Sequence, residues 1–372
     1  MRFLFAAGGT GGHIYPAIAI ADELKKMTEK TEILFVGAEG KIEEKIVPAN
    51  NYKLVKIKIS GFNLKNIKNT LKLPFMLISA LKNSKKIILE FNPDVVIGTG
   101  GFVSGPVLYK AVRLKKPVLI QEGNAYPGKV VRFLAKKADK VIVNFDKTAD
   151  FLPDGSNIQK ISHPVRITLK KTDKASALNA FDFKQDLKTL LIFGGSQGAH
   201  SINEAIKKYI RDLYELKINI LWQTGKKDYD SIYKYVRSLD LEVGIKVLEY
   251  IDDMGSAYSL ADLVICRGGI STIMELSYLK MPAVIVPYPY AAENHQEVNA
   301  RTLEENNACV VVTEKIKENK EKYDFSQVLF NTIKKVLSDE ALRKKLSENI
   351  SRYSDENAAR KIAEEILKLR KN

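Results

Sequence analysis

Short apolar runs rich in valine, isoleucine and leucine recur along the chain and alternate with stretches of helical periodicity. In the first half they fall at residues 3–7, 33–36, 95–98, 118–121 and 141–143, and in the second at 190–193, 218–222, 246–248, 263–266 and 283–286. Continuous apolar strands separated by helices signal parallel sheets covered on both faces. The predicted fold is therefore α/β, with two doubly wound, Rossmann-like domains. The first covers residues 1–164 and ends near His163-Pro164-Val165-Arg166. The second covers 165–352 and begins with the polar stretch 170–186. A final helix within 353–372 carries Ala359, Ile362, Ala363, Ile366 and Leu367 on one face, with Ser354 as its expected cap and Asp355 and Glu356 in its first turn. That stripe must be buried, and packing back across the first domain would bury it.

Two of the apolar runs end in glycine turns that resemble each other. Gly8-Gly9-Thr10-Gly11-Gly12-His13 aligns with Gly194-Gly195-Ser196-Gln197-Gly198-Ala199, and helix-like stretches follow at 16–26 and 201–211. A strand, a glycine turn and a helix N-terminus together favour an anion, because backbone N–H groups converge where the helix dipole is positive. One such turn per domain implies two phosphorylated ligands. Neither turn fits Gly-x-Gly-x-x-Gly, since Ile14 stands where the third glycine would be, and neither has the lysine of an ATPase phosphate loop. A nicotinamide enzyme and a nucleoside-triphosphatase are disfavoured.

Composition narrows the picture further. The chain of 372 residues is long enough for two self-sufficient cores, and its two cysteines, Cys266 and Cys309, lie in apolar strand-like runs as core residues. The first residues pass directly into strand and glycine turn without the pattern of a secretory signal, and no run reaches the length of a membrane span. A cytosolic protein with at most peripheral membrane contact is expected. The net charge of +15 admits anionic lipid, nucleic acid or phosphorylated substrates. Arginine-rich clusters interleaved with aromatics are missing, so nucleic acid is not expected as a partner.

Further motifs follow in order: Gly100-Gly101-Phe102-Val103-Ser104-Gly105-Pro106, Gln121-Glu122-Gly123-Asn124, Ile251-Asp252-Asp253-Met254, and Cys266-Arg267-Gly268-Gly269-Ile270-Ser271-Thr272-Ile273-Met274-Glu275. With the two glycine turns, they closely resemble the MurG family of N-acetylglucosaminyltransferases, from residue 2 to beyond Asn299. The resemblance implies a GT-B fold with an interdomain cleft. It also implies transfer of GlcNAc from UDP-GlcNAc to the muramoyl 4-hydroxyl of undecaprenyl-diphospho-MurNAc-pentapeptide (lipid I), giving lipid II with inversion to a β-1,4 link. No cofactor is implied.

By resemblance, Ile251 offers backbone groups to the uracil, and Ser196 with the turn Gly268, Gly269, Ile270, Ser271 and Thr272 holds the donor diphosphate. Glu275, one turn inside the helix, would accept hydrogen bonds from the ribose hydroxyls. Asn124, Arg166, Gln296 and the Thr10-Gly11-Gly12 turn match positions near the transferred sugar and its diphosphate. Arg166 can neutralise charge growing on departing UDP. Gly12, His13, Gly101 and Ser104 are the candidates for the acceptor diphosphate. An imidazole with an ordinary pKa near 6.5 can accept a hydroxyl proton at neutral pH, which makes His13 the candidate general base, with a cap or phosphate ligand as the bland alternative.

The chain departs from the family at Ser162-His163, where Gly-Asn is common, and at His295, where some relatives carry glutamine. Asp228-Tyr229-Asp230 could chelate a divalent ion between phosphates, but at a helix start these acids more simply offset the dipole, and no metal site is expected. Lys65, Lys68, Lys72, Lys82, Lys85 and Lys86 interleave with Leu71, Leu73, Phe75, Met76, Leu77, Ile78 and Leu81. Such a segment suits the anionic cytoplasmic face of the cell membrane, or equally a core-facing helix with a solvated basic rim. Two other functions fit the same domain plan: a transferase acting on diacylglycerol, and a UDP-sugar-binding protein without turnover.

Overall fold

The computed structural model describes residues 1–59, 67–165, 169, 172–195, 197–241, 243–315 and 323–370, with the backbone alone for 67–73. Arg166 and Ser196 therefore lie outside the described residues, as do Lys65 and the side chains of Lys68, Leu71, Lys72 and Leu73. Two compact units result: residues 1–166 with 355–372, and residues 167–354.

The first unit holds β1 (Arg2–Ala7), β2 (Glu32–Ala38), β3 (Lys53–Ile57), β4 (Val95–Gly100), β5 (Val118–Glu122), β6 (Lys140–Val143) and β7 (Ile158–Lys160). They form one parallel sheet in the order β3-β2-β1-β4-β5-β6-β7. The second unit holds β8 (Thr189–Phe193), β9 (Asn219–Gln223), β10 (Ile245–Leu248), β11 (Leu263–Cys266), β12 (Ala283–Ile285) and β13 (Val310–Val311), ordered β10-β9-β8-β11-β12-β13 and again parallel. The central strands β1, β4, β5, β8, β9 and β11 are apolar because helices cover both their faces. Three strands escape the apolar pattern. β3 exposes Lys53, Val55 and Lys56 at an edge, β7 reads Ile-Gln-Lys, and β13 is two residues long.

Strand order reverses between β1 and β4, and again between β8 and β11. In open parallel sheets such reversals leave a crevice at the carboxyl ends of the two strands, where ligands bind. All four strands at the reversals lead into glycine turns.

The expected continuous helix 201–211 is instead two, His200–Lys208 and Ile210–Glu215, broken at Tyr209. The C-terminal helix spans Ala358–Leu369 with Asn357, not Ser354, at its cap position. Asp355 stands before the helix and accepts from the Asn357 N–H at 2.9 Å. Ala358, Ile362, Ala363 and Ile366 join the core built on the helix Gly11–Met27 and β1. Lys140 at the start of β6 lies 3.6 Å from Glu365, adding an ion pair to this apolar seam.

Ile362→Ala leaves a cavity in this seam, because Ile362 is fully buried. It should cost about 2–5 kcal/mol in chemical denaturation. A loss below about 1 kcal/mol would mean that the terminal helix is not part of the core.

Candidate active site

In the first unit, the turns after β1 and β4 meet by backbone contact. A Cβ on Gly101 (φ +84°) would lie 2.1 Å from the Gly8 carbonyl oxygen, so only glycine permits the approach. Gly11 and Gly12 open the helix Gly11–Met27, behind Thr10 at its cap position. The N–H groups of Gly11 and Gly12 lack intrahelical acceptors by position and lie at the positive end of the helix dipole, which favours an anion.

His13, half-buried, places Nδ1 3.0 Å from the Gly8 carbonyl oxygen and 3.3 Å from Thr10 Oγ1. A carbonyl can only accept, so Nδ1 carries the proton and the neutral ring keeps its lone pair on Nε2. A Cβ on Gly100 would lie 2.8 Å from that Nε2, so the glycine makes room for the ring edge. Thr99 Oγ1 donates to the His13 carbonyl at 2.7 Å. His13, Gly100 and Gly101 thus come together with Thr10, Gly11 and Gly12. Ser104 is buried, and its hydroxyl donates to the Gly101 carbonyl at 2.7 Å, which gives it a part in holding the turn.

Asn124 follows β5 and is fixed by Glu122, its neighbour in the same motif. Glu122 Oε1 accepts from Asn124 N and Nδ2 at 2.9 and 3.1 Å, and its Oε2 accepts from Gly128 N–H at 3.0 Å. A buried acid at the end of an apolar strand was the available signal.

In the second unit the close approaches join other elements: the turn after β8 meets the end of β9, and the turn after β11 meets the helix His295–Glu305. A Cβ on Gly198 (φ +75°) would lie 2.0 Å from the Thr224 carbonyl oxygen, and one on Gly268 would lie 2.6 Å from that of Gln296. Gly269 caps the helix Ile270–Tyr278, with Ser271 and Thr272 half-buried in its first turn. Glu275 Oε2 accepts from the hydroxyl of Tyr258 at 3.0 Å. Tyr258 is fully buried, and burial first, then the Glu275 charge, pushes its phenol well above the usual range, so it stays a donor. Ile251 is buried, and its N–H donates to Gln223 Oε1 at 2.9 Å, while Gln223 Nε2 donates to the Gly195 carbonyl at 3.0 Å. One glutamine at the end of β9 thereby ties together two candidate donor-site segments. Gln296 Oε1 accepts from Tyr288 N–H at 3.0 Å.

Several polar residues serve the scaffold. Arg267 pairs with Glu314 and donates to Ser201 Oγ at 3.0 Å. Asp228, buried in the first turn of the helix Lys226–Ser238, accepts from Asn203 Nδ2 at 2.8 Å and faces His200 Nδ1 at 3.0 Å. Among the described residues no three His, Cys, Asp or Glu side chains are grouped to hold a metal ion. Asp253 caps the helix Met254–Leu260, and bonds from Ser256 hold its carboxyl below the usual range. Burial pushes both cysteine thiols up, consistent with core positions.

Residues 3–143 match the glycosyltransferase family 28 N-terminal domain, and residues 189–366 match its C-terminal domain. A protein of Acetivibrio thermocellus is 36% identical over 100% of this chain and 99% of its own. One of Parabacteroides distasonis is 38% identical over 99% and 98%. Both bear the name UDP-N-acetylglucosamine--N-acetylmuramyl-(pentapeptide) pyrophosphoryl-undecaprenol N-acetylglucosamine transferase. The crystal structure of Acinetobacter baumannii MurG matches with a TM-score of 0.76 and 27% identity, over 99% of each chain.

The chain belongs to the MurG family of glycosyltransferases.

Its two parallel-sheet domains are of the GT-B kind. The same fold extends to the UDP-GlcNAc 2-epimerase of Neisseria meningitidis, with a TM-score of 0.67 at 14% identity over 99% of this chain and 100% of that one.

His163, where the MurG family commonly has asparagine, is buried after β7. Its Nδ1 accepts from Gln121 Nε2 at 2.8 Å, and its backbone N–H donates to Asn144 Oδ1 at 2.9 Å. Burial, with a smaller contribution from His13, pushes the imidazole from 6.5 down to about 3. Between those values the unfolded chain takes up a proton that the native state refuses, so stability falls as pH drops from about 6.5 towards 3. His163→Asn should flatten that decline, read as unfolding free energy against pH from neutrality downward. Parallel curves for the two proteins would exclude His163 as its source.

Proposed function

We propose that this glycosyltransferase moves GlcNAc from UDP-GlcNAc to the muramoyl 4-hydroxyl of undecaprenyl-diphospho-MurNAc-pentapeptide, converting lipid I to lipid II in peptidoglycan synthesis. The reading is carried by the full-length match to relatives bearing that transferase's name. In it, the first-turn N–H groups of the helix Ile270–Tyr278 face the donor diphosphate, and Glu275, oriented by Tyr258, takes the ribose hydroxyls. Because the Ile251 N–H is engaged by Gln223, uracil would meet the carbonyl of that residue. Asn124, Gln296, Arg166 and Ser196 retain the sugar and diphosphate roles that the family resemblance implies.

The chemistry is a single displacement with inversion. As the acceptor oxygen bonds to the anomeric carbon, its proton passes to His13 Nε2, and the bond to the UDP oxygen breaks on the opposite face. Helix dipole, backbone donors and Arg166 stabilise the charge on the leaving diphosphate. The Gly11-Gly12-His13 turn, with Gly101 and Ser104 behind it, would receive the acceptor diphosphate.

A lipid-linked acceptor favours a peripheral location on the cytoplasmic face of the membrane. In the helix Ile67–Phe91, Ala80, Ser84 and Ile88 face inward, whereas Phe75 is 76% exposed and Leu77 and Ile78 lie open beside it. Phe133 is also exposed, with Lys137 Nζ 4.4 Å from its ring centre. Aromatic and basic side chains side by side suit an anionic interface. Among the described residues no helix is long and apolar enough to cross a membrane.

Incubating the protein with UDP-GlcNAc and a lipid I analogue in EDTA should add one GlcNAc to the analogue by mass spectrometry. UDP-GlcNAc binding without product would favour a non-catalytic binding protein, and product on diacylglycerol would favour another acceptor class. His13→Ala should lower kcat by about 10²–10⁴-fold. Glu275→Ala should raise the KM for UDP-GlcNAc by about 10- to 100-fold, the value of one charge-assisted hydrogen bond. An unchanged kcat in His13→Ala would remove His13 as the base.

A further inference from the structure

The helix Glu43–Ala49 opens with a carboxylate that belongs to none of the motifs above. Glu43 is fully buried, and both of its oxygens accept from the backbone: Oε1 from Ala38 N–H at 2.8 Å, and Oε2 from Gly9 N–H at 3.0 Å. Glycines make its reach possible. A Cβ on Gly8 would lie 2.3 Å from Oε1, and one on Gly37 would lie 2.6 Å from Cγ. Burying an acid costs several kcal/mol before its hydrogen bonds offset the loss. An amide side chain would turn its NH2 against one of these two N–H donors, so accepting at both atoms calls for a carboxylate.

That charge also acts through the peptide group Glu43 holds. The N–H of Gly9 and the carbonyl of Gly8 are the two ends of one planar amide. Glu43 accepts at its N–H end, and His13 Nδ1–H donates to its oxygen end. Carboxylate, peptide and imidazole therefore form one continuous hydrogen-bonded line. Hydrogen bonds in such a chain polarise one another, and a negative charge at the N–H end makes the carbonyl oxygen a stronger acceptor. A stronger acceptor at Nδ1–H holds the tautomer with its lone pair on Nε2 and stabilises the imidazolium as it forms. An acid bonded directly to a catalytic histidine does the same.

We infer that Glu43 is a positioning residue for the transfer reaction, orienting His13 and raising the basicity of its Nε2 through the Gly8–Gly9 peptide. The inference rests on His13 being the base. The acceptor hydroxyl proton moves to Nε2 as the new glycosidic bond forms and UDP departs; neither the peptide nor Glu43 gains a proton. Around His13, the turn after β4 contributes the uncharged Thr99, Gly100 and Gly101. The neighbouring His163 is kept neutral by its burial until about pH 3. Glu43 is thus a carboxylate placed to act on the ring through the peptide.

Glu43→Gln keeps the side-chain volume, removes the charge and gives up one of the two accepted backbone hydrogen bonds. The chain has four histidines, and ¹⁵N NMR with His13→Gln as the assignment control follows the His13 ring. Wild-type His13 should be the Nδ1–H tautomer when neutral. In Glu43→Gln its pKa should fall by about 1, the acidic limb of kcat should move with it, and the KM for UDP-GlcNAc should stay within about twofold. A folded Glu43→Gln protein with an unchanged His13 titration would overturn the inference. So would an Nε2–H tautomer in the wild type, which decides the matter even if the variant does not fold. Unchanged turnover in His13→Ala would instead remove the base assignment, while the His13 titration would still report whether the relay exists.

Discussion

The structure depends on close backbone approach at the carboxyl ends of its parallel strands. Where strand order reverses, two turns leave the sheet side by side, and the space between them is too small for a Cβ. The Gly101 position is 2.1 Å from the Gly8 carbonyl oxygen by that measure, and away from the reversal in the second sheet the turn after β8 comes as close to β9, the Gly198 position lying 2.0 Å from the Thr224 carbonyl oxygen. Glycine is thus required by packing as well as by backbone conformation, and exposed first-turn N–H groups are a consequence. A parallel sheet with such a crossing presents an anion site whatever its ligand turns out to be.

Turns that lean on backbone contact must be held by something, and here buried polar side chains hold them. Glu43 accepts from Gly9, Glu122 from Asn124 and Gly128, and Gln223 spans Gly195 and Ile251. Each ties down backbone groups of a turn, and the Ile251 N–H, buried, would otherwise lose its partner at a cost of about 1–3 kcal/mol. The same side chains set orientation. The Gly8 carbonyl fixes which nitrogen of His13 can take a proton, and Tyr258 fixes how Glu275 presents its carboxylate. Loop stability and chemical competence rest on one set of hydrogen bonds.

Much of this was legible in the residues. Apolar runs marked the central strands, because burial on both faces leaves no polar positions to confuse the pattern. The glycine turns marked the crossings, and their order along the chain carried the family. Edge strands β3 and β7 were hidden by solvent-facing lysine and glutamine, and β13 by its length. The supporting groups were harder to see. Gln223 ends an apolar strand and Glu43 opens a short helix, and neither position differs locally from an ordinary surface residue. Their partners are distant in sequence: Glu43 meets Gly9 across 34 positions, and Tyr258 meets Glu275 across 17. Spacing arguments reach residues on one element and fail where the sheet brings separate elements together.

The central claim is that the turns at the second reversal receive the donor nucleotide. A crystal structure of the protein with UDP-GlcNAc tests it most directly. The account predicts the diphosphate at the start of the helix Ile270–Tyr278, the ribose hydroxyls on Glu275, and uracil beside Ile251. A nucleotide bound instead at the Gly8–His13 turn of the first unit would contradict it.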